Sequence, residues 1–227
     1  MKSGDINWEE VFDGCDWLHL SGITPAIGRD AAVLSIESVK KACEMGLKVS
    51  LDLNYRKSLW NYGVAPSDII PQMMPSVNVL IGDPATINTM LGLDLPALAQ
   101  YSQPEDLEAP YSELVDRYKD IECVGMILRD VMSAQHNKVQ GVIYHKRKIA
   151  SSRIMEINPI VQRIGGGDVF TAGLIYGLQT KMSSSEAIDF AIASSALKMT
   201  VEGDYSLFRA DDILDFLKNK ALGAISR

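Results

Sequence analysis

The chain has 227 residues, 47% of them hydrophobic, and a formal net charge of −7. That length and apolar content bury one sizeable core, so a single α/β domain over residues 1–227 is the expectation and two domains are not. An acidic chain with no block of Lys or Arg has no electrostatic footprint for nucleic acid or for an anionic membrane, which leaves small-molecule chemistry.

A polar lead from Met1 to Asp16 holds one amphipathic candidate, Trp8 to Phe12. Trp17 to Leu20 reads as a strand, and Ser21-Gly22-Ile23-Thr24-Pro25 follows at its carboxyl end, where open α/β sheets place ligands. Gly22 permits a close backbone approach there, although an ordinary strand-to-helix loop explains the segment equally well. Asp30 to Met45 has helical spacing and stops at Gly46, which suits the position just past a helix end. Lys48 to Leu53 is the next strand, and Asp52-Leu53-Asn54-Tyr55-Arg56 leaves it. The planar fork of Arg56 suits a carboxylate or a phosphate, and a surface ion pair is the alternative.

Pro66 to Met74 is a short helix candidate and Val77 to Ile81 a third strand, after which Pro84 to Leu91 reads as a helix opening at Asp83. Leu93 to Pro110 carries prolines and little periodicity, as a surface insertion would. Tyr111 to Lys119 is helical, and Cys123 to Leu128 is a buried strand ending in Arg129, either a phosphate ligand or a solvated charge. Gln140 to His145 and Lys148 to Ser152 read as a hairpin around Lys146-Arg147. Three scattered cysteines and three histidines without ligand spacing give neither a disulfide framework nor a zinc site, and no signal peptide or membrane span is visible. A reduced cytoplasmic compartment is the expectation.

The densest signal is Arg163-Ile164-Gly165-Gly166-Gly167-Asp168, a glycine turn running into the apolar helix Asp168 to Gln179. Three glycines allow positive φ and close backbone approach, and the helix start offers free N–H groups and a positive dipole end to an anion. Asp168 either caps that helix or, beside a bound phosphate, accepts a proton from an attacking hydroxyl. Neither the Walker pattern nor the dinucleotide GxGxxG is present. Ser185 to Thr200 is an Ala-rich helix suited to close packing, and Ala210 to Lys220 is an amphipathic helix with Ile213, Leu214 and Leu217 inward.

The glycine turn resembles the second signature of the PfkB/ribokinase family of sugar kinases. Ser21 to Ala26, Asp52 to Trp60, Leu128-Arg129 with Ser133-Ala134, and Leu197 to Thr200 with Gly203-Asp204 narrow the resemblance to 2-keto-3-deoxygluconate kinases. The resemblance implies a ribokinase-like three-layer α/β/α sandwich with a mostly parallel sheet. It implies an anion hole at Gly165, Gly166 and Gly167, with Asp168 as catalytic base. It further implies sugar-acid contacts from Gly22, Ile23, Thr24 and Arg56, and ATP contacts from Arg129, Ser133, Asn137 and Gly203. Magnesium would be reached from Asp83, where the family carries Asn, while Thr86 stands where the family carries Glu. Gln162 replaces a common acidic residue. The family's first strand, its sugar-holding glycine motif and its β-lid, which commonly makes a dimer, have no counterpart before Trp17. The function implied is ATP-dependent phosphorylation of 2-keto-3-deoxygluconate to its 6-phosphate, with a fructokinase-like substrate as a further option. The alternative is an impaired or inactive truncated homologue that at most binds nucleotide.

Overall fold

The computed structural model describes residues 2–96 and 103–221, which fall into two compact units, the first ending in the chain at Gly125 and the second beginning at Met126. In the first, helix α1 (Trp8–Val11) precedes strand β1 (Trp17–Ser21), helix α2 (Arg29–Glu44) and strand β2 (Lys48–Asp52). A short helix α3 (Pro66–Ile69) and two single 3-10 turns lead to β3 (Val79–Ile81), α4 (Pro84–Leu91), α5 (Glu108–Arg117) and the start of β4 (Cys123–Ser133). The strands β1, β2, β3 and β4 are neighbours in that order and pair in parallel, Trp17 facing Lys48 and Leu80 facing both Leu51 and Val124. Val49, Ser50 and Leu51 are buried in succession, as are Val79, Leu80 and Ile81, because a parallel strand covered on both faces has no solvent side to alternate with.

Helix α2 packs on β1 and β2 through Ala32, Val39 and Ala42. It stops where Gly46 turns to φ +80°, with the Gly46 N–H donating to Cys43 O at 3.0 Å and the Leu47 N–H to Ala42 O at 2.9 Å. These two bonds satisfy carbonyls that the helix end would leave unpaired. The segment expected to be a surface insertion is partly core. Residues 97–102 of it lie outside the described residues, but Leu95 and Leu107 are buried, and Pro104–Leu107 is a 3-10 turn feeding α5. Leu107 and Tyr111 together bury enough apolar area to outweigh the prolines that make the sequence look loop-like.

In the second unit β4 continues past Arg129, turns at Ala134-Gln135 and returns as β5 (His136–His145). The strand was expected to end at Arg129; it runs on through residues 129–133, which are exposed, Val131 and Met132 included, yet lie in a strand beside β5, and a burial pattern does not register such a strand. Strand β6 (Lys148–Ser151) pairs antiparallel with the end of β5, and β7 (Met155–Ile157) pairs with its start. The hairpin turn is Lys146-Arg147, at φ +52° and +59°, the two positive values a tight hairpin turn requires.

Helices α6 (Gly166–Gln179), α7 (Ser184–Lys198) and α8 (Ala210–Ala221) complete the unit. Helices α6 and α7 approach closely because Gly173 and Gly177 face Ala191 and Ala187. A Cβ on either glycine would come within 2.9 Å of an alanine Cα. Phe170 and Ile188 then fill the space above Gly141 of β5, and burying a ring such as Phe170 stabilises by about 1.5–3 kcal/mol.

Candidate active site

The chain leaves β7 and enters α6 through the glycine turn, and the three glycines serve different ends. Gly165 alone is left-handed, at φ +82°, and a Cβ on it would overlap the carbonyl oxygen of Asp204. Gly166 opens the helix with no room for a side chain, since a Cβ would stand 2.7 Å from Met199 Cε. Gly167 has ordinary φ and nothing within 4 Å of where a Cβ would be, so neither the turn nor the packing requires a glycine there.

The hydrogen bonds of the turn leave two donors over. Gly166 N–H donates to Arg163 O at 3.2 Å and Val169 N–H to Gly165 O at 2.9 Å. Between them, the N–H groups of Gly167 and Asp168 have no acceptor among the described residues. The side chain of Asp168 is exposed and makes no hydrogen bond or ion pair among those residues, so it caps nothing. Two unspent donors at the positive end of a 14-residue helix make an anion site, and an unspent carboxylate beside them can take a proton.

Two arginines belong to the same unit. Arg163 Nη2 donates to Ser133 O at 2.9 Å, to Ala134 O at 2.7 Å and to Asn137 Oδ1 at 3.2 Å. It has no carboxylate partner among the described residues, and the buried Asn137 acts by holding it. Arg129 is unpaired too among the described residues; its surface is exposed, yet desolvation of its guanidinium by the surrounding protein, and then the charge of Arg163, lower its pKa. Two cations without a carboxylate partner among the described residues suit an anion that comes from outside. The Ser133 hydroxyl accepts from Gln135 N–H at 3.3 Å, and Gly203, at φ +89°, is exposed.

The turn is held from behind by α7 and the loop after it. Ser195 Oγ donates to Gly166 O at 2.8 Å, and Met199 O accepts from Val161 N–H and Gln162 N–H at 2.9 and 3.2 Å. Lys198, fully buried, donates to Gly203 O at 2.5 Å and Gln162 O at 3.4 Å. Sequence spacing gives Lys198 and Ser195 no role. The one signal they leave is a lysine in the apolar stripe of an Ala-rich helix.

The first unit places the remaining predicted residues at the carboxyl ends of its strands. Gly22 N–H donates to Asp52 O at 2.7 Å, and a Cβ there would overlap Leu53 O, so the close approach that Gly22 permits is to the neighbouring strand. Ile23 and Thr24 are half-buried at the start of a 3-10 turn. Arg56 is exposed, and its Nη1 donates to Tyr55 O at 3.3 Å with no carboxylate partner among the described residues. The surface ion pair considered for it is therefore not formed. Asp83 caps α4: Oδ1 accepts from the N–H groups of Ala85 and Thr86 at 3.0 Å, and Oδ2 from Thr86 Oγ1 at 2.6 Å. No group of three or more acidic or His/Cys side chains among the described residues is arranged to hold a metal. Oδ2 of Asp83 keeps a lone pair, which fits contact with a metal through water rather than a direct clamp.

Residues 139–210, the hairpin through the glycine turn to the start of α8, match the model of the pfkB family carbohydrate kinases. The chain resembles the pfkB family carbohydrate kinases over that stretch. It is 29% identical over 218 residues to a 2-dehydro-3-deoxygalactonokinase of Haloferax volcanii, covering 94% of this chain and 61% of that relative. The crystal structure of 2-dehydro-3-deoxygluconokinase from Thermotoga maritima matches with a TM-score of 0.87 and 32% identity, over 96% of this chain and 65% of that one. A pfkB family carbohydrate kinase from Listeria grayi matches at 0.85 and 28%, with the same coverage. The chain thus spans somewhat less than two thirds of these relatives, and its fold is the ribokinase-like α/β fold with a mostly parallel sheet. Kinases of the pfkB family use ATP and typically a divalent metal. Among the described residues no helix is long and apolar enough to cross a membrane.

Proposed function

We propose that this chain is one ribokinase-like domain that transfers the γ-phosphoryl group of ATP to the terminal hydroxyl of a sugar acid, 2-keto-3-deoxygluconate or a close relative. The observation that supports it best is the pair of acceptor-free N–H groups at Gly167 and Asp168 beside the unpaired Asp168 carboxylate. Asp168 takes the hydroxyl proton as the sugar oxygen bonds to the γ-phosphorus and the bond to the β-phosphate oxygen breaks, releasing ADP. The two N–H groups, aligned before the reaction begins, meet the charge on the transferring phosphoryl oxygens. Arg129 neutralises nucleotide phosphate, while Arg163 keeps Ser133 and Asn137 in place below it. Magnesium bound with the nucleotide would supply further charge neutralisation, and Asp83 is the residue that would hold it.

For the sugar acid, the unpaired fork of Arg56 fits a carboxylate, with Gly22, Ile23 and Thr24 shaping the contact. On that assignment Arg56→Met raises KM for the acid by about 10–100-fold, as loss of a charge-assisted bidentate pair does, and leaves a neutral sugar such as fructose unaffected. Equal loss for both would give Arg56 to the phosphate instead. A reduced cytoplasm accords with three free cysteines, two of them exposed.

A second reading, nucleotide binding without transfer, is favoured by neutral Thr86 in the first turn of α4. ATP turnover with and without 2-keto-3-deoxygluconate, in the wild type and in Asp168→Asn, separates the two. Transfer predicts sugar-dependent ADP release that falls by about 10²–10⁴-fold in the variant while ATP affinity holds. ATP binding with no turnover in the wild type establishes the second reading, and normal turnover in Asp168→Asn removes Asp168 as the base.

A further inference from the structure

Lysine is almost never fully buried without a carboxylate partner, because transfer of an ammonium out of water is expensive and its long side chain can usually reach the surface. Lys198 has no exposed surface and, among the described residues, no carboxylate partner, and its Nζ meets two backbone carbonyls, Gly203 O at 2.5 Å and Gln162 O at 3.4 Å. A methionine would fill the same volume without the desolvation cost, so packing alone does not account for a cation here.

What the two carbonyls belong to is informative. Gln162 lies just ahead of the glycine turn. Gly203 precedes Asp204, whose carbonyl oxygen lies where a Cβ on Gly165 would be. Residues 202–205 are exposed, and among the described residues the bond from Lys198 is the only hydrogen bond they make. The loop that backs Gly165 is therefore anchored through one ammonium, which also holds the segment entering the turn.

We infer that Lys198 is a positioning residue, a built-in cation caged by backbone carbonyls that locks the Gly203-Asp204 loop against Gly165 and keeps the Gly167 and Asp168 N–H groups set for a phosphate. Its ligand rests on the kinase reading above; its geometry does not. The charge matters twice: an ammonium binds carbonyl oxygen more strongly than a neutral donor does, and it sets a fixed positive charge behind an anion site.

The test compares wild type, Lys198→Met and Lys198→Ala by hydrogen exchange and by ATP titration. In Lys198→Met, the hydrogen-bonded amides around the turn, Val161, Gln162, Gly166 and Val169, exchange about tenfold faster or more while those of 172–178 in α6 keep their protection, the signature of local rather than global opening. Lys198→Ala in ammonium chloride regains protection at the turn, but not in tetramethylammonium chloride, whose cation is too large for the vacated space. Where the wild type binds ATP, Lys198→Met weakens binding by about tenfold, which is about 1.4 kcal/mol. Should the methionine variant not fold, Lys198→Gln, a neutral donor, is read the same way. Unchanged exchange at the turn, faster exchange throughout the unit, identical behaviour in the two salts, or unchanged ATP affinity overturns the inference. A wild type that binds no ATP ends the kinase reading, and the exchange pattern and the salt comparison still decide the role of Lys198.

Discussion

At the scale of single residues, adjacent glycines have opposite predicted costs. Gly165→Ala forces a side chain into a left-handed backbone and onto the Asp204 carbonyl, and destabilises by about 2–4 kcal/mol. Gly167→Ala meets nothing within 4 Å and replaces a glycine inside a helix, so stability is unchanged or rises by about 0.5–1 kcal/mol. The same methyl group is added to a residue that carries one of the two free N–H groups, so it crowds a phosphate bound there and ATP binding weakens. Denaturant midpoints and ATP titrations on both variants check this, and a Gly167→Ala protein with wild-type affinity would show that no ligand uses that bare face. The sequence marks these glycines as special without saying which serves the backbone, which the packing and which a ligand. That difference is made by Met199 and Asp204, far along the chain and invisible to spacing. Asp168 is similar: its position at a helix start is legible, whereas its lack of any acceptor role there is a fact of side-chain direction.

Elements were legible where one face is buried and a cap ends them. Asp83 caps α4 as its position suggests, and Asp83→Ala should cost about 1 kcal/mol through the lost N–H contacts. Thermal unfolding of the variant checks the figure, and a cost near zero would mean that water serves the helix end as well. Helix α7 opens with a reciprocal cap: Ser183 Oγ accepts from Glu186 N–H, and Glu186 Oε2 accepts from Ser183 N–H at 2.9 Å. The side-chain bond to Ser183, then the backbone bond, lower the Glu186 pKa below its ordinary value of 4.5. A carboxyl more acidic in the folded state stabilises above its unfolded pKa, and this contribution disappears as pH falls through the folded one. Stability of the wild type should therefore hold through neutral pH and decline below about pH 4.5, and Glu186→Gln should flatten that part of the decline. Matching pH profiles of wild type and variant would show that the cap is unused. Beyond the caps, the tail of β4 and the turn at Pro104–Leu107 escaped sequence reading for one reason: their place depends on partners, the neighbouring β5 for one and the apolar contacts of Leu107 for the other.

Across the whole molecule the net charge opposes the chemistry proposed for it. ATP is a polyanion, and the chain carries a formal charge of −7, so the long-range field repels the nucleotide while Arg129, Arg163 and the helix start attract it at close range. Screening decides which wins. At about 0.01 M salt the Debye length is near 30 Å and the whole molecule is felt; at about 0.15 M it is near 8 Å and only the local cations remain effective. Nucleotide affinity should therefore stay level or rise between about 0.01 and 0.15 M salt, and fall beyond it as the local pairs are screened in turn. In Arg129→Met the low-salt repulsion persists while the attraction is reduced, so affinity drops at every salt concentration and the rise at low salt becomes steeper. Titrating ATP against both proteins over that range checks the balance. A wild-type affinity that falls steadily from the lowest salt upward would mean that the local cations dominate at every distance, and that the acidic surface lies too far from the nucleotide to matter.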